Sequence, residues 1–283
     1  MINKIQWQLK ALLKDKNRLR LTIMVILALG LFLVSLGAAY LTPYDPYEQN
    51  LSNGLSAPSP KHFFGTDRYG RDLFSRILVG SSNSILGAVA LAIAITVLGS
   101  GIGIVAAVMG GWLDRLLMTG VNVFLSFPSL VLAIAVAGTL EGGLHNAMLA
   151  LLLIGWPKYA RLARSQVLLL KDRPWLQAAK MAGSNQWQLI YRHILPNIFS
   201  PLMVTCILDI GTLMMELSAL SYLGLGARPP LAEWGSMISE GRSLMTSHPW
   251  LVLGPGAAIF LTVIIFNLLG DTYRDYLDPH SWR

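Results

Sequence analysis

The chain has 283 residues, 54% of them hydrophobic and 13% charged, with a formal net charge of +7. Soluble domains carry about 25% charged residues, so this composition excludes an ordinary soluble enzyme and indicates an integral membrane protein with room for about six spans. The single cysteine, Cys206, excludes an internal disulfide, and the surplus Lys and Arg flank apolar segments, a pattern of membrane orientation and not of nucleic-acid binding.

Residues 1–20 carry Lys4, Lys10, Lys14, Lys16, Arg18 and Arg20 against Asp15 alone, which places this N-terminal segment in the cytoplasm. Trp7, Leu9, Leu12 and Leu13 suit an interfacial helix there; a solvated basic tail is the alternative. The first apolar run, 21–41, is too long for a signal-peptide core and lacks a small-residue cleavage site, so it is span one and a signal anchor. Residues 43–82 then lie outside. Their second half, Phe64 to Gly80, predicts a short amphipathic helix with Leu73, Phe74, Ile77 and Leu78 on one face. Span two, 84–109, has Gly99, Gly103 and Ala107 at the small-xxx-small spacing that lets helices approach closely. An inner turn at 110–115 leads to span three, 116–139, kinked at Pro128. After an outer turn at 141–145, span four covers 147–170. Its lower part holds Lys158, Arg161 and Arg164, a basic face directed at headgroups or a partner.

The stretch 171–196 is the longest polar interruption of the second half. Between 157 and 196 seven Lys or Arg stand against Asp172, so this loop is cytoplasmic. Asp172 caps a short helix with Pro174 in its first turn. Gly183 suits a left-handed C′ position, and Ser184 caps a second helix. That helix turns Trp187, Leu189, Ile190 and Ile194 to an apolar surface and ends at Pro196. Span five is 200–222. The outer loop 223–250 contains a helical stretch near 236–244, and span six, 251–269, returns the chain to a cytoplasmic tail. Sixteen of the 22 Lys and Arg fall on inner segments by this scheme, which supports six spans with both termini inside.

Few side chains offer chemistry. Asp209 and Glu216 are ionisable within span five and, seven apart, share a helix face. Carboxylates at membrane depth line a path for a cationic or amine-bearing solute, or bond neighbouring helices. Met203, Met214 and Met215 fit either a soft-metal path or flexible packing. The five histidines are scattered over loops without HxxxH or HExxH spacing, so no fixed metal site is expected. No GxSxG and no GxxxxGK[ST] occurs, so the chain is not an enzyme, and ATP hydrolysis, if used, belongs to another polypeptide.

Three motifs carry a family resemblance. Gln177-Ala178-Ala179, Gly183 and Ile194-Leu195-Pro196 resemble the EAA loop of bacterial ABC importer permeases, with Gln177 in place of the leading Glu. The external string F-G-T-D-R-Y-G-R-D-L-F-S-R resembles the corresponding segment of dipeptide, oligopeptide and nickel permeases. Leu223-Gly224-Leu225-Gly226, Pro229-Pro230, Glu233-Trp234-Gly235 and the run from Phe266 to Pro279 stand at the spacing of their C-type subunit. The resemblance spans about residues 40–280. It implies an all-α type I ABC importer transmembrane domain with six spans in the bacterial inner membrane. It also implies a heterodimer with a second homologous permease, two ABC ATPase subunits that bind ATP-Mg, and an extracellular or periplasmic solute-binding protein. Gln177, Ala178, Ala179, Gly183, His193 and Pro196 are then the ATPase-coupling residues. Asp209, Met215 and Glu216 line the translocation path, and Asp67, Arg71, Asp72, Glu233 and Trp234 form an external gate or binding-protein face. Nickel, free or chelated, and short peptides are the substrates implied, with Leu208 to Gly211, Met214-Met215 and the stretch from Ala232 to Gly235 leaning toward nickel. A passive channel, a secondary carrier, a membrane enzyme and an ABC exporter are the competing classes, the last disfavoured by the EAA pattern.

Overall fold

The structure, a computed structural model, describes the backbone of residues 2–277 and the side chains of residues 18–277. The interfacial-helix expectation for Trp7, Leu9, Leu12 and Leu13, and the end of the C-terminal tail, lie outside the described residues. Among those described the regular structure is all helical apart from one isolated bridge, Thr66 to Asp72, and residues 42–72 are mostly turns.

Helix α1 (Ile2–Leu36) and the short α2 (Ala38–Leu41) meet at Gly37. Exposed Leu19, Ile23, Ile26, Leu29 and Leu33 coat the outer side of α1, as lipid contact demands, and its other side packs on the last helix. The expected amphipathic helix over Phe64 to Gly80 is shorter: α3 runs Leu73–Ser81, because Asp72 accepts from the backbone N of Ser75 at 2.8 Å and sets the start. The chain then passes through a π-helical turn, Ser82–Leu86, into α4 (Gly87–Met109) without a break. The inner turn contracts to Gly110 and Gly111, both at positive φ, so residues expected in it open α5 (Gly111–Leu125).

Span three differs most from expectation. Instead of a kink at Pro128, α5 and α6 (Ser129–Thr139) meet at 91°. Pro128 is extended (ψ 123°), so the helix stops completely and restarts. Helix α7 (Leu144–Lys171) has Pro157 inside it. Then come α8 (Pro174–Met181), the single turn α9 (Gln186–Gln188), a π-helical turn Leu189–Ile194, and α10 (Leu195–Tyr222). The second cytoplasmic helix therefore does not stop at Pro196. The wider π turn ahead of Pro196 makes room for a residue lacking an N–H, and the helix continues into span five. Helix α11 (Trp234–Gly241) and α12 (Trp250–Leu277) complete the fold.

Among the described residues four helices are long and apolar enough to cross a membrane alone, or five with the bent pair α5–α6. The expected fourth span, α7, does not qualify on composition because Lys158, Arg161 and Arg164 interrupt its apolar run. The core is built from α4, α7, α10 and α12. Ile85, Ala88, Leu91, Ala92, Ile95, Leu151, Ile154, Met214 and Leu217 are all buried in it.

The small residues of α4 act as the spacing predicts. A Cβ on Gly99 would lie 2.7 Å from Tyr159 Cβ, and one on Gly103 would lie 2.9 Å from the carbonyl carbon of Ala160. These helices meet backbone to backbone, and Gly155 returns the contact by lying against Ile95.

Candidate functional site

Helix α7 reaches α10 through its residues just past Pro157. Lys158 Nζ sits 2.6 Å and 2.9 Å from the two carboxylate oxygens of Asp209, and the Tyr159 hydroxyl donates to the same carboxylate at 2.9 Å. Asp209 is buried and so must be compensated; Lys158, with 55% of its side chain exposed, supplies the compensation. Two turns further out, Glu216 accepts from Ser129 at 3.3 Å, at the start of α6. These side chains, with Thr212, Leu213, Ile154 and Ile95, line a cavity of about 280 Å³. Asp209, Thr212 and Glu216 stand at i, i+3 and i+7, a single stripe of α10. Met215 is exposed next to that stripe and is not among the lining residues.

The basic face of α7 has acceptors inside the chain. Arg161 donates to Asn122 at 2.8 Å, and Arg164 holds Asp114 through two bonds of 2.6 and 2.7 Å. The three cations follow i, i+3, i+6 spacing, so each faces α5 or α10. Lys158 is the site residue that reading the sequence missed. Its signal was Asp209 itself, a carboxylate that needs a partner at membrane depth.

At the inner end, α8 leaves α7 with Arg173 and not Asp172 at its N-cap position, and Asp172 terminates α7. Helix α8 ends in a Schellman motif: Ser184 N–H reaches Ala179 O at 3.2 Å, Gly183 N–H reaches Lys180 O at 3.0 Å, and Gly183 has φ +87°. The following cap is Asn185, not Ser184. Its side chain accepts from Gln188 N at 2.8 Å, and the Gln188 side chain accepts from Asn185 N at 3.0 Å. Leu176, Leu189 and Ile194 point inward against Ala107 and Val167 at the ends of α4 and α7. Gln177 and Ala178 point outward, Ala179 packs on the core, and Pro196 is exposed. His193 is half-buried, its ring 6.2 Å from that of Trp175. Trp187, expected on an apolar surface of this chain, is exposed and stacks with exposed Tyr191 at 6.3 Å; Met181 beside the glycine turn is exposed as well.

The external residues form a buried network. Arg71 Nε donates to Asp67 at 2.5 Å and its Nη2 to Glu240 at 3.1 Å, and Arg76 joins Asp67 at 3.6 Å. Glu233 accepts from Gly235 N and Ser236 N at the start of α11, and Trp234 Nε1 donates to Ile77 O at 2.9 Å. Asp67, Arg71, Asp72, Glu233 and Trp234 are thus interior, a clamp between the external segment and α11, and not a surface open to a binding protein. Asp67 pairs with Arg71, Asp72 holds Ser75 and His62, and Glu233 holds backbone N–H groups, so each buried charge has partners.

Residues 99–283 match the family described as "Binding-protein-dependent transport system inner membrane component". The chain belongs to that family. This permease is 44% identical to the probable D,D-dipeptide transport system permease protein of Escherichia coli K12, over 98% of this chain and 91% of that one. It is 39% identical to a dipeptide transport system permease protein of Alkalihalophilus pseudofirmus over 93% and 86%, and 40% identical to a glutathione transport system permease protein of Pectobacterium atrosepticum over 90% and 87%. Its fold is that of a chain of the inward-facing MetNI methionine ABC transporter, with TM-score 0.59 and 16% identity over 73% of this chain and 98% of that chain. The permease is therefore a multi-pass inner-membrane subunit of a binding-protein-dependent transport system. It works with ATPase and substrate-binding components and does not itself hydrolyse ATP.

Proposed function

We propose that the permease translocates short peptides across the inner membrane, and that Asp209 and Glu216 line the path. The observation that carries this reading is the cavity between α5, α6, α7 and α10, where Lys158, Asp209 and Glu216 place charges of both signs in an otherwise uncharged wall. A peptide with free termini has the matching charges, and relatives at 39–44% identity are named for peptide transport. Nickel, favoured by details of the sequence, finds no counterpart in those names. In this reading a second permease of similar fold completes the path as a heterodimer, and the exposure of Met215 beside the acidic stripe leaves that side chain free to meet it.

The coupling reading assigns the α8–Gly183–α9 knuckle to the ATPase. Exposed Gln177, Ala178, Met181, Trp187 and Tyr191 form its outer face, while Leu176, Leu189 and Ile194 transmit its motion to α4 and α7. Helix α7 is the remaining span. Lys158 paired to Asp209 and Arg164 to Asp114 neutralise two of its cations within the bundle, and in this reading both termini fall on the cytoplasmic side. Uptake of radiolabelled dipeptide and of radiolabelled nickel in cells lacking the gene, with and without complementation, tests the substrate. Restored dipeptide uptake alone is the expected result; restored nickel uptake alone overturns it.

A further inference from the structure

The Lys158–Asp209 pair has an unusual placement for a structural staple. Its anion is buried and its cation is more than half exposed, on the wall of a cavity that also carries a second carboxylate. Buried ion pairs add little stability over an apolar pair of similar volume, so stability alone is a weak reason for one here. The cavity, about 280 Å³, sits at the lower edge of the ~300–1,000 Å³ typical of small-molecule sites. Lys158 hangs from the turn after Pro157 on a flexible four-carbon stem, so its ammonium can leave Asp209 without moving the backbone.

We propose that Lys158 and Asp209 exchange partners with a zwitterionic peptide, an inference that rests on the peptide reading above. In the empty site the Lys158 ammonium occupies the position on Asp209 that a peptide ammonium takes. When a peptide enters, its ammonium replaces Lys158 on Asp209, with the Tyr159 hydroxyl still donating to the carboxylate and Glu216 adding a second negative charge nearby. The freed Lys158 ammonium pairs with the peptide carboxylate. The net charge inside the cavity is the same before and after entry, so Asp209 is paired with an ammonium in both states. A solute lacking either terminal charge leaves one partner of the pair unmatched and is rejected. Thr212 and Ser129 supply neutral polar contacts beside the charged ones.

The test uses the complete importer with its ATPases and binding protein in proteoliposomes. The doubly neutral Lys158→Met/Asp209→Leu variant removes the pair without leaving an unmatched charge. It is expected to co-purify with the ATPase subunits and to lose at least tenfold in dipeptide uptake. Uptake at the wild-type rate in that variant would show a merely structural pair and overturn the proposal. On the wild-type complex, a photoreactive dipeptide is expected to label Ile154, Thr212 or Leu213. Excess free dipeptide should displace that label at least fivefold, while the N-acetyl dipeptide amide should not. Label confined to residues outside the cavity, or displaced equally by both compounds, overturns the proposal even where the double variant fails to assemble. A wild-type complex that takes up no dipeptide at all refutes instead the peptide reading underneath.

Discussion

Gly101 and Gly103 stand two residues apart on α4 and should respond in opposite directions to the same substitution. A Cβ at Gly101 meets nothing within 4 Å, whereas one at Gly103 runs into the Ala160 carbonyl oxygen and lies 2.9 Å from its carbonyl carbon and 3.0 Å from its Cα. Relaxed heavy-atom contacts are ~3.5 Å or more and the obstructing oxygen is backbone, so α7 must retreat by about 1 Å or more to admit an alanine at Gly103. Overpacking of this kind costs about 1–3 kcal/mol. Alanine gains about 0.5–1 kcal/mol over glycine inside a helix. Gly103→Ala should therefore destabilise by about 1–2 kcal/mol, and Gly101→Ala should stabilise by about 0.5–1 kcal/mol. Equilibrium unfolding of the purified permease in mixed detergent micelles measures both. Equal shifts for the two variants would refute the backbone contact between α4 and α7. The retreat also draws Lys158 from Asp209, so a tryptophan-free readout of that pair, such as uptake, should fall only in the Gly103 variant.

Arg164→Met leaves Asp114 without its two bonds; since the Arg164 side chain is about a third exposed, the expected loss is only about 0.5–1 kcal/mol, recovered in the Asp114→Leu/Arg164→Met double variant when unfolding is compared. Trp234→Phe removes the bond to Ile77 O inside the external clamp and should cost about 1 kcal/mol in the same measurement, with dipeptide uptake retained. Gly183→Val forces a branched side chain to φ +87°, a strain of about 1–2 kcal/mol, although open space surrounds the position. Insertion should survive, while uptake and binding-protein-stimulated ATP hydrolysis fall at least tenfold, and Gly183→Asn should keep most of both. Normal uptake in the valine variant would remove the argument that this turn sets the coupling geometry.

Apolar runs, glycine spacing and charge bias made the helical membrane architecture legible, and the Gly183 turn followed from a glycine after a helix-forming run. Rotation of each helix about its axis was not legible. Asp209 announces that it needs a partner, but nothing local says that Lys158, 51 residues away, is the one. The same uncertainty turned Trp187 outward and sent Arg161 and Arg164 to α5. Proline was ambiguous in both directions. Pro128 breaks its span through 91°, whereas Pro196 is absorbed by a π-helical turn that no residue signature marks. The external residues were noticed for their motif and assigned to a surface. The local signs of their burial, Asp72 three before Ser75 and Glu233 three before Ser236, read as helix caps only once those helices are seen to be buried.

The central claim is that a cytoplasmic knuckle around Gly183 hands the motion of an ATPase to a bundle whose path carries Asp209. The direct measurement replaces the buried Cys206 by alanine and places single cysteines at Ala178 and Trp187, both exposed on the knuckle. Each is then tested in the assembled complex for thiol cross-linking to the ATPase subunits, with and without ATP, and for labelling by a membrane-impermeant thiol reagent from outside. Cross-links that change in yield with ATP, and no external labelling, are the predicted result. External labelling of either cysteine, with no cross-link to an ATPase in any nucleotide state, would contradict the account.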